Sequence, residues 1–254
     1  MRYYPALIKF VINNTITIIV RPFSIIFFVS VFSYISCTDN GSTWKRHVNP
    51  AEIFFDYQIR GEENDSMVSA YLLYKMGGPN GIAIKLTDPA KVELDSEAIS
   101  FDSAKLARAF YDIEIPADNF TGEHTIVFTD FDNRQFKEEF IYKPFRLKTK
   151  IPPAISRRDL TFDFIGLADE DYLRVILTDT SFMSRDIHEI DTVKNNRLVI
   201  SADKLKNLTD GPITLQFYKE TERPVRNGTR AGGRIVVSYG MLREFVLKDS
   251  VAVK

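Results

Sequence analysis

A chain of 254 residues that is 44% hydrophobic, 13% aromatic and 26% charged has the balance of a folded protein with a real core, which excludes a disordered or fibrous chain. Its 33 Lys and Arg residues nearly match its 34 Asp and Glu, so the dominant positive surface needed for general nucleic-acid binding is missing. One cysteine and three histidines (His47, His124 and His188) without ligand-like spacing exclude an internal disulfide and give no basis for a zinc site, and no cofactor is expected.

The charge is uneven along the chain. Residues 1–36 hold Arg2, Lys9 and Arg21 and no acid, which leaves 30 basic against 34 acidic residues from position 37 onward. These cations precede the apolar run Ile25-Ile26-Phe27-Phe28-Val29-Ser30-Val31-Phe32, and small Ser36 stands immediately before Cys37. A basic region, an apolar core and a small residue at a cleavage point outline an export signal. A membrane-spanning helix needs about 20 apolar residues, whereas the stretch from Pro22 to Ser36 is shorter and interrupted by Ser24, Ser30 and Ser33. The quartet Tyr34-Ile35-Ser36-Cys37 resembles the lipobox of bacterial lipoproteins. That resemblance implies a signal peptide over 1–36 and a Cys37 that becomes the lipid-modified N-terminus. It also implies a partner membrane reached through that lipid anchor, and export to the cell envelope as an outer-membrane lipoprotein. Acyl chains contribute about 0.8 kcal/mol per buried CH₂, so several on one residue hold a folded domain at a bilayer. Residues 37–50 are polar, with Asn40-Gly41-Ser42 and Asn49-Pro50 as turn chemistry, and read as a tether.

From position 51 the runs are short and β-rich. Ala51 to Ile59, Val68 to Tyr74, Ile82 to Leu86, Tyr111 to Ile115, Thr125 to Thr129 and Phe136 to Tyr142 are dense in β-branched and aromatic residues, with turn formers such as Gly77-Gly78-Pro79-Asn80-Gly81 between them. One helical turn is expected around Ser103 to Phe110. The second half repeats the plan: Gly122, Thr125 and Phe128 answer Gly211, Thr214 and Phe217, and Phe55-Asp56-Tyr57 answers Phe162-Asp163-Phe164. Two units near 100 residues, each with several short strands, fit sandwiches in which two sheets bury one face each. The run from Gly122 to Asp130 resembles the late strand of bacterial immunoglobulin-like domains. The fold class expected is therefore all-β, two tandem immunoglobulin-like β-sandwich domains over 51–147 and 148–254. The boundary lies in the proline-bearing stretch from Pro144 to Pro153, because proline cannot donate to a ladder.

Candidate chemistry is sparse. His124 opens a strand with no second ligand nearby and reads as a strand-edge residue. Asp130-Phe131-Asp132-Asn133-Arg134 alternates acids like a calcium loop but has Gln135 where the EF-hand needs Gly, so a hairpin turn is expected. Asp169-Glu170-Asp171 is a second acidic cluster and a calcium candidate, its three adjacent carboxylates repelling one another unless a cation joins them. No nucleophile motif or phosphate-cradling loop is present, so no enzymatic activity is expected; paired carboxylates in a cleft between the units would be the mark of a hydrolase. The most individual feature is the Gly-rich stretch from Glu222 to Arg234. Its four arginines, Arg223, Arg226, Arg230 and Arg234, form a cationic loop suited to carboxylates, phosphates or acidic glycans. Short sequons at Asp65, Asp102, Asp191 and Asp249, and at Asn64, Asn119, Asn207 and Asn227, match sugar-attachment patterns. The expected role is a non-catalytic binding or assembly subunit for an envelope protein or a surface polymer such as an anionic glycan. The alternative is a glycan-binding accessory lipoprotein of a polysaccharide-uptake system, which predicts an exposed aromatic platform.

Overall fold

The computed structural model describes residues 48–100, 111–181 and 186–249, so Cys37 and the stretch 103–110 lie outside the described residues. In chain order the described residues form β1 (Ile53–Glu62), β2 (Met67–Met76), β3 (Ile82–Ala83), β4 (Lys91–Leu94), β5 (Glu97–Ala98), β6 (Tyr111–Pro116), β7 (Gly122–Thr129) and β8 (Gln135–Tyr142). There follow β9 (Arg146–Leu147), β10 (Ala154–Ser156), β11 (Leu160–Ile165), β12 (Tyr172–Asp179), β13 (Ile187–Thr192), β14 (Arg197–Ile200), the short helix α1 (Ala202–Leu205), β15 (Gly211–Pro224) and β16 (Gly233–Lys248). The all-β class with paired sandwiches, expected from the alternating runs, is the class observed.

The period-two pattern explains the strands. In β2, Val68, Ala70, Leu72 and Tyr74 are buried while Met67, Ser69, Tyr71 and Leu73 are half-buried, so one face of the strand builds the core. The same phase puts Phe55, Tyr57 and Ile59 of β1 inside. The β7–β8 connection is the hairpin turn expected at 130–134. Asp130 is fully buried; its Oδ1 accepts from the amides of Asp132 (2.8 Å) and Arg134 (2.9 Å), and Asn133 takes a positive φ of 61°.

Two apolar clusters result. In the first, β1 and β2 face β4, β7 and β8 of a separate sheet ordered β5-β4-β7-β8, and Phe128 stacks on Tyr74 at 4.4 Å and meets Phe55 edge-on at 5.1 Å. In the second, β12, β15 and β16 face a sheet ordered β14-β11-β9, with Phe217 edge-on to Phe162 and Phe164 at 5.2 and 5.1 Å. Each cluster is the filling of one sandwich. Phe145 and Leu147, just after the first unit's last strand, already pack into the second cluster.

The two sandwiches are not merely strung together. The β15–β16 hairpin runs through both, because β16 pairs antiparallel with β15 along its length and parallel with β1 from Phe55↔Gly233 to Glu62↔Gly240. Past that point the same flank of β16 that β1 occupies pairs parallel with β10, from Ala154↔Val246 to Ser156↔Lys248. One continuous sheet therefore carries the order β13-β12-β15-β16-β1-β2-β3, with β6 also on β2 and β10 also on β16. Tyr239 sits at the joint and packs against both clusters, its ring 6.2 Å from Tyr142 and 5.5 Å from Phe145. The close parallel approach of β1 and β16 needs glycine at 233, where a Cβ would lie 2.7 Å from both the Cβ and the carbonyl oxygen of Phe55.

Candidate functional site

The arginine-rich connection leaves β15 at Pro224 and re-enters the sheet at Gly233. Its conformation is set by Thr229, whose hydroxyl donates to the carbonyl of Ile53 (2.6 Å) and accepts from the amide of Ala231 (3.1 Å). Gly232 supplies a positive φ of 75°, and its carbonyl accepts from the amide of Phe55 (3.1 Å). The loop is thereby stitched to the start of β1.

The four arginines go to different places. Arg223, on the inner face of the hairpin, reaches across to the first unit's smaller sheet, with Nη1 2.5 Å from Glu138 Oε1 and Nη2 2.6 Å from the carbonyl oxygen of Glu139. The second oxygen of Glu138 accepts from the backbone amide of Arg226 (2.6 Å), and Glu138 is only 2% exposed. Arg234, on the opposite face, donates from Nε to Asp56 Oδ1 (2.9 Å), while Lys75 Nζ holds the other oxygen of Asp56 at 2.5 Å. Burial pushes the Asp56 carboxyl up, but Arg234 and then Lys75 outweigh it and hold the group below the usual carboxylate range. Arg230 pairs with Glu52 at 3.2 Å on the surface. Arg223 and Arg234 thus hold the first sandwich from the inner and outer faces of the shared sheet, each on a buried carboxylate. Arg226 is exposed and its guanidinium makes no ion pair among the described residues.

Glu138 and Asp56 were not singled out by the sequence reading. A signal for the first was present: in Phe136-Lys137-Glu138-Glu139-Phe140-Ile141-Tyr142 the charge at 138 falls in the apolar phase of the strand, so it must be buried and needs a cation. No comparable signal marks Asp56, which lies in the solvent-side phase and is covered by Lys75 and Arg234.

The histidine and the acidic cluster are structural in the described geometry. His124 is buried, not at an open strand edge; Nδ1 lies 2.7 Å from Asp95 Oδ2, Nε2 lies 3.0 Å from the Phe120 carbonyl oxygen, and the ring stacks on Phe120 at 3.8 Å. In the 169–171 cluster Asp171 accepts from the Ala168 amide (2.7 Å) and from Lys219 Nζ (2.5 Å). Burial raises the Asp171 carboxyl, but Lys219, the Ala168 amide and the charge of Lys143 together outweigh it, and the net direction is down.

An open groove of about 630 Å³ follows the seam between β8 and the inner face of the hairpin. Its walls include Glu139, Ile141 and Lys143 on one side and Lys219, Thr221 and Arg223 on the other, with Val237 and Tyr239 beneath. The seam exists because the large sheet extends past the small one. Across the inner face, the row Leu72–Tyr57–Ile235 is buried and ends at a half-buried Arg223; the row Ala70–Ile59 is buried, Val237 is partly covered, and Thr221 is exposed. Cover fades where β8, the last strand of its sheet, stops.

No family model matches the chain, and no curated protein matches it. Among solved structures it aligns with a tetra-tandem repeat in the extending region of a large adhesion protein at 11% identity and a TM-score of 0.25, over 77% of this chain and 50% of that one. The chain thus spans half the length of that structure. It aligns with fibronectin(III)-like modules of Clostridium thermocellum CbhA at 10% identity and a TM-score of 0.23, over 80% and 97% of the two chains. A third alignment is to SGBP-B of a Bacteroides ovatus mixed-linkage glucan utilization locus, in complex with a mixed-linkage heptasaccharide, at 14% identity and a TM-score of 0.20, over 72% and 43%. Scores of this size carry no inference about fold or role; the fold rests on the sheets and cores described above.

Proposed function

We propose that the chain is a non-catalytic binding or assembly subunit, exported to the cell envelope and anchored in the outer membrane through lipid on Cys37, with units 51–147 and 148–254 presenting a surface to a partner protein or polymer. The observation that carries this reading is the groove at the seam, where cationic side chains and the side of an unpaired strand are held by two sandwiches that share a sheet. A rigid sheet framework positions such a surface without needing it to move. Metabolic labelling with a fatty-acid analogue tests the anchor. The native chain is expected to be labelled and membrane-retained, and the Cys37→Ala chain to be neither. Retention of the unlabelled variant would overturn it.

A glycan-binding accessory role has one observation in its favour. On the outer face of the continuous sheet Tyr172 is 64% exposed and Ile190 69% exposed, flanking Arg174, which pairs across to Tyr218. Such a cluster offers a sugar ring a stacking surface beside hydrogen-bonding groups. Retardation of the chain in native gels cast with anionic or neutral polysaccharides, lost on Tyr172→Ala, is the outcome this reading expects.

A further inference from the structure

The four-stranded sheet of the first sandwich ends at β8, and the backbone of that strand is open on the groove side. Two hydrogen-bond observations fix which groups face out. Opposite Glu139 stands Thr125, whose N–H and C=O both go to Asp95 on the far side of β7, donating to Oδ1 (2.8 Å) and accepting from the amide (2.9 Å). The Glu139 carbonyl correspondingly faces the groove, where Arg223 takes it. In a strand, residues two apart present their N–H and C=O groups to the same side, so Ile141 presents both to the groove as well. Its side chain is 61% exposed.

We propose that this edge is a seat for one more strand: an extended, carboxylate-bearing peptide segment of a partner protein that pairs with β8 and lies over the inner face of the β15–β16 hairpin. The proposal deepens the binding role given above and rests on it. Three features select this occupant. The floor of the seat, Val237 and Thr221, is where the inner face loses its cover, so a fifth strand on the small sheet would place alternate side chains on it. Arg223 already closes the Glu139 end of the edge, as charged side chains commonly guard unpaired strands, which leaves the Ile141–Lys143 end as the entry. The charges around the groove are also unbalanced. Arg223 is matched by Glu138, Lys219 by Asp171 and Glu139 by Lys137, whereas Lys143 and Arg226 make no ion pair among the described residues and act only at longer range, Lys143 on Asp171 and Arg226 on Glu139. Carboxylates on the incoming segment meet those two cations.

The test is fluorescence anisotropy on the full chain in detergent, with three labelled ten-residue peptides as probes: alternating Val and Glu, alternating Val and Lys, and the Val/Glu peptide with a central Pro. The Val/Glu peptide is expected to bind saturably, and the other two about tenfold or more weakly. Ile141→Pro removes an edge N–H and is expected to weaken the Val/Glu peptide about tenfold. The exposed double replacement Lys143→Glu with Arg226→Glu keeps every ladder bond and is expected to reverse the preference toward the Val/Lys peptide, which guards against a proline variant that simply misfolds. Equal binding of the Glu and Lys peptides, undiminished binding to a folded Ile141→Pro chain, or no saturable binding would overturn the proposal. So would a concentration-dependent dimer abolished by Ile141→Pro in the absence of peptide, which would assign the edge to a second copy. If the peptides fail while membrane pull-downs with native and Ile141→Pro chains recover the same partner, the seat is wrong and the binding role stands; if native bait recovers nothing, the role itself fails.

Discussion

Glu138 and Arg223 stand 85 positions apart in the chain and meet at 2.5 Å across the seam between the two sheets, the carboxylate 2% exposed and the guanidinium partly so. The contact joins a strand of the first unit to a hairpin from the second. Because Glu138 also accepts from the Arg226 amide, both its oxygens are occupied and its charge is compensated where water does not reach.

Arg223→Ala leaves that buried charge without its cation. The expected cost is about 3–5 kcal/mol, read as a lower urea midpoint at unchanged slope. Replacing Glu138 and Arg223 together with apolar residues of similar volume is expected to cost less than the sum of the single changes, as a double-mutant cycle will show.

Asp56 makes the acid limb of stability steeper. Arg234 and Lys75 overcome the upward push of burial and hold its folded-state carboxyl below the ordinary value, which in the unfolded chain is about 3.9. A depressed carboxyl contributes stability that is fully present above the unfolded value and is lost as pH falls through the folded one. Asp56→Asn is therefore expected to be less stable than the native chain at neutral pH, with the two curves converging below about pH 4 in denaturant titrations.

Gly233→Ala tests the join between β1 and β16. The added methyl meets the Cβ and the carbonyl oxygen of Phe55 at 2.7 Å, and backbone cannot move aside as a flexible side chain would. A loss of about 1–3 kcal/mol is expected, measured as a fall in melting temperature.

The shared hairpin predicts one cooperative transition. Phe128→Ala opens the first core and Phe217→Ala the second, each expected to cost about 3–5 kcal/mol. Since β16 contributes Ile235 to one cluster and Phe245 and Leu247 to the other, each change is expected to lower the same calorimetric transition. A single mutation that split the trace in two would show that the sandwiches unfold separately.

Much of the local structure was legible because it depends on neighbours in the chain. Alternation placed β2 and β8 within two residues of their observed ends, and the buried Asp130 turn followed from acids and Asn in a short polar stretch between two β-rich runs. The run expected from Ile82 to Leu86 forms ladder only over Ile82–Ala83. The two strands that flank the arginine-rich stretch, Gly211–Pro224 and Gly233–Lys248, are far longer than the short runs of the first half. Part of the pairing of the second comes from β1, from Phe55↔Gly233 to Glu62↔Gly240, about 180 positions away, which no local pattern reports.

The residues by themselves determined that this chain builds β-sandwiches, because period-two burial is written into consecutive side chains and needs no distant information. They also set down the four arginines, but not what those arginines do. Only the tertiary structure decided that Arg223 and Arg234 are spent on Glu138 and Asp56, that one strand serves two cores, and that the edge of β8 opens on a groove. Ion pairs and sheet edges are properties of which segments meet, and that is settled by the joint burial of surfaces far apart in the chain.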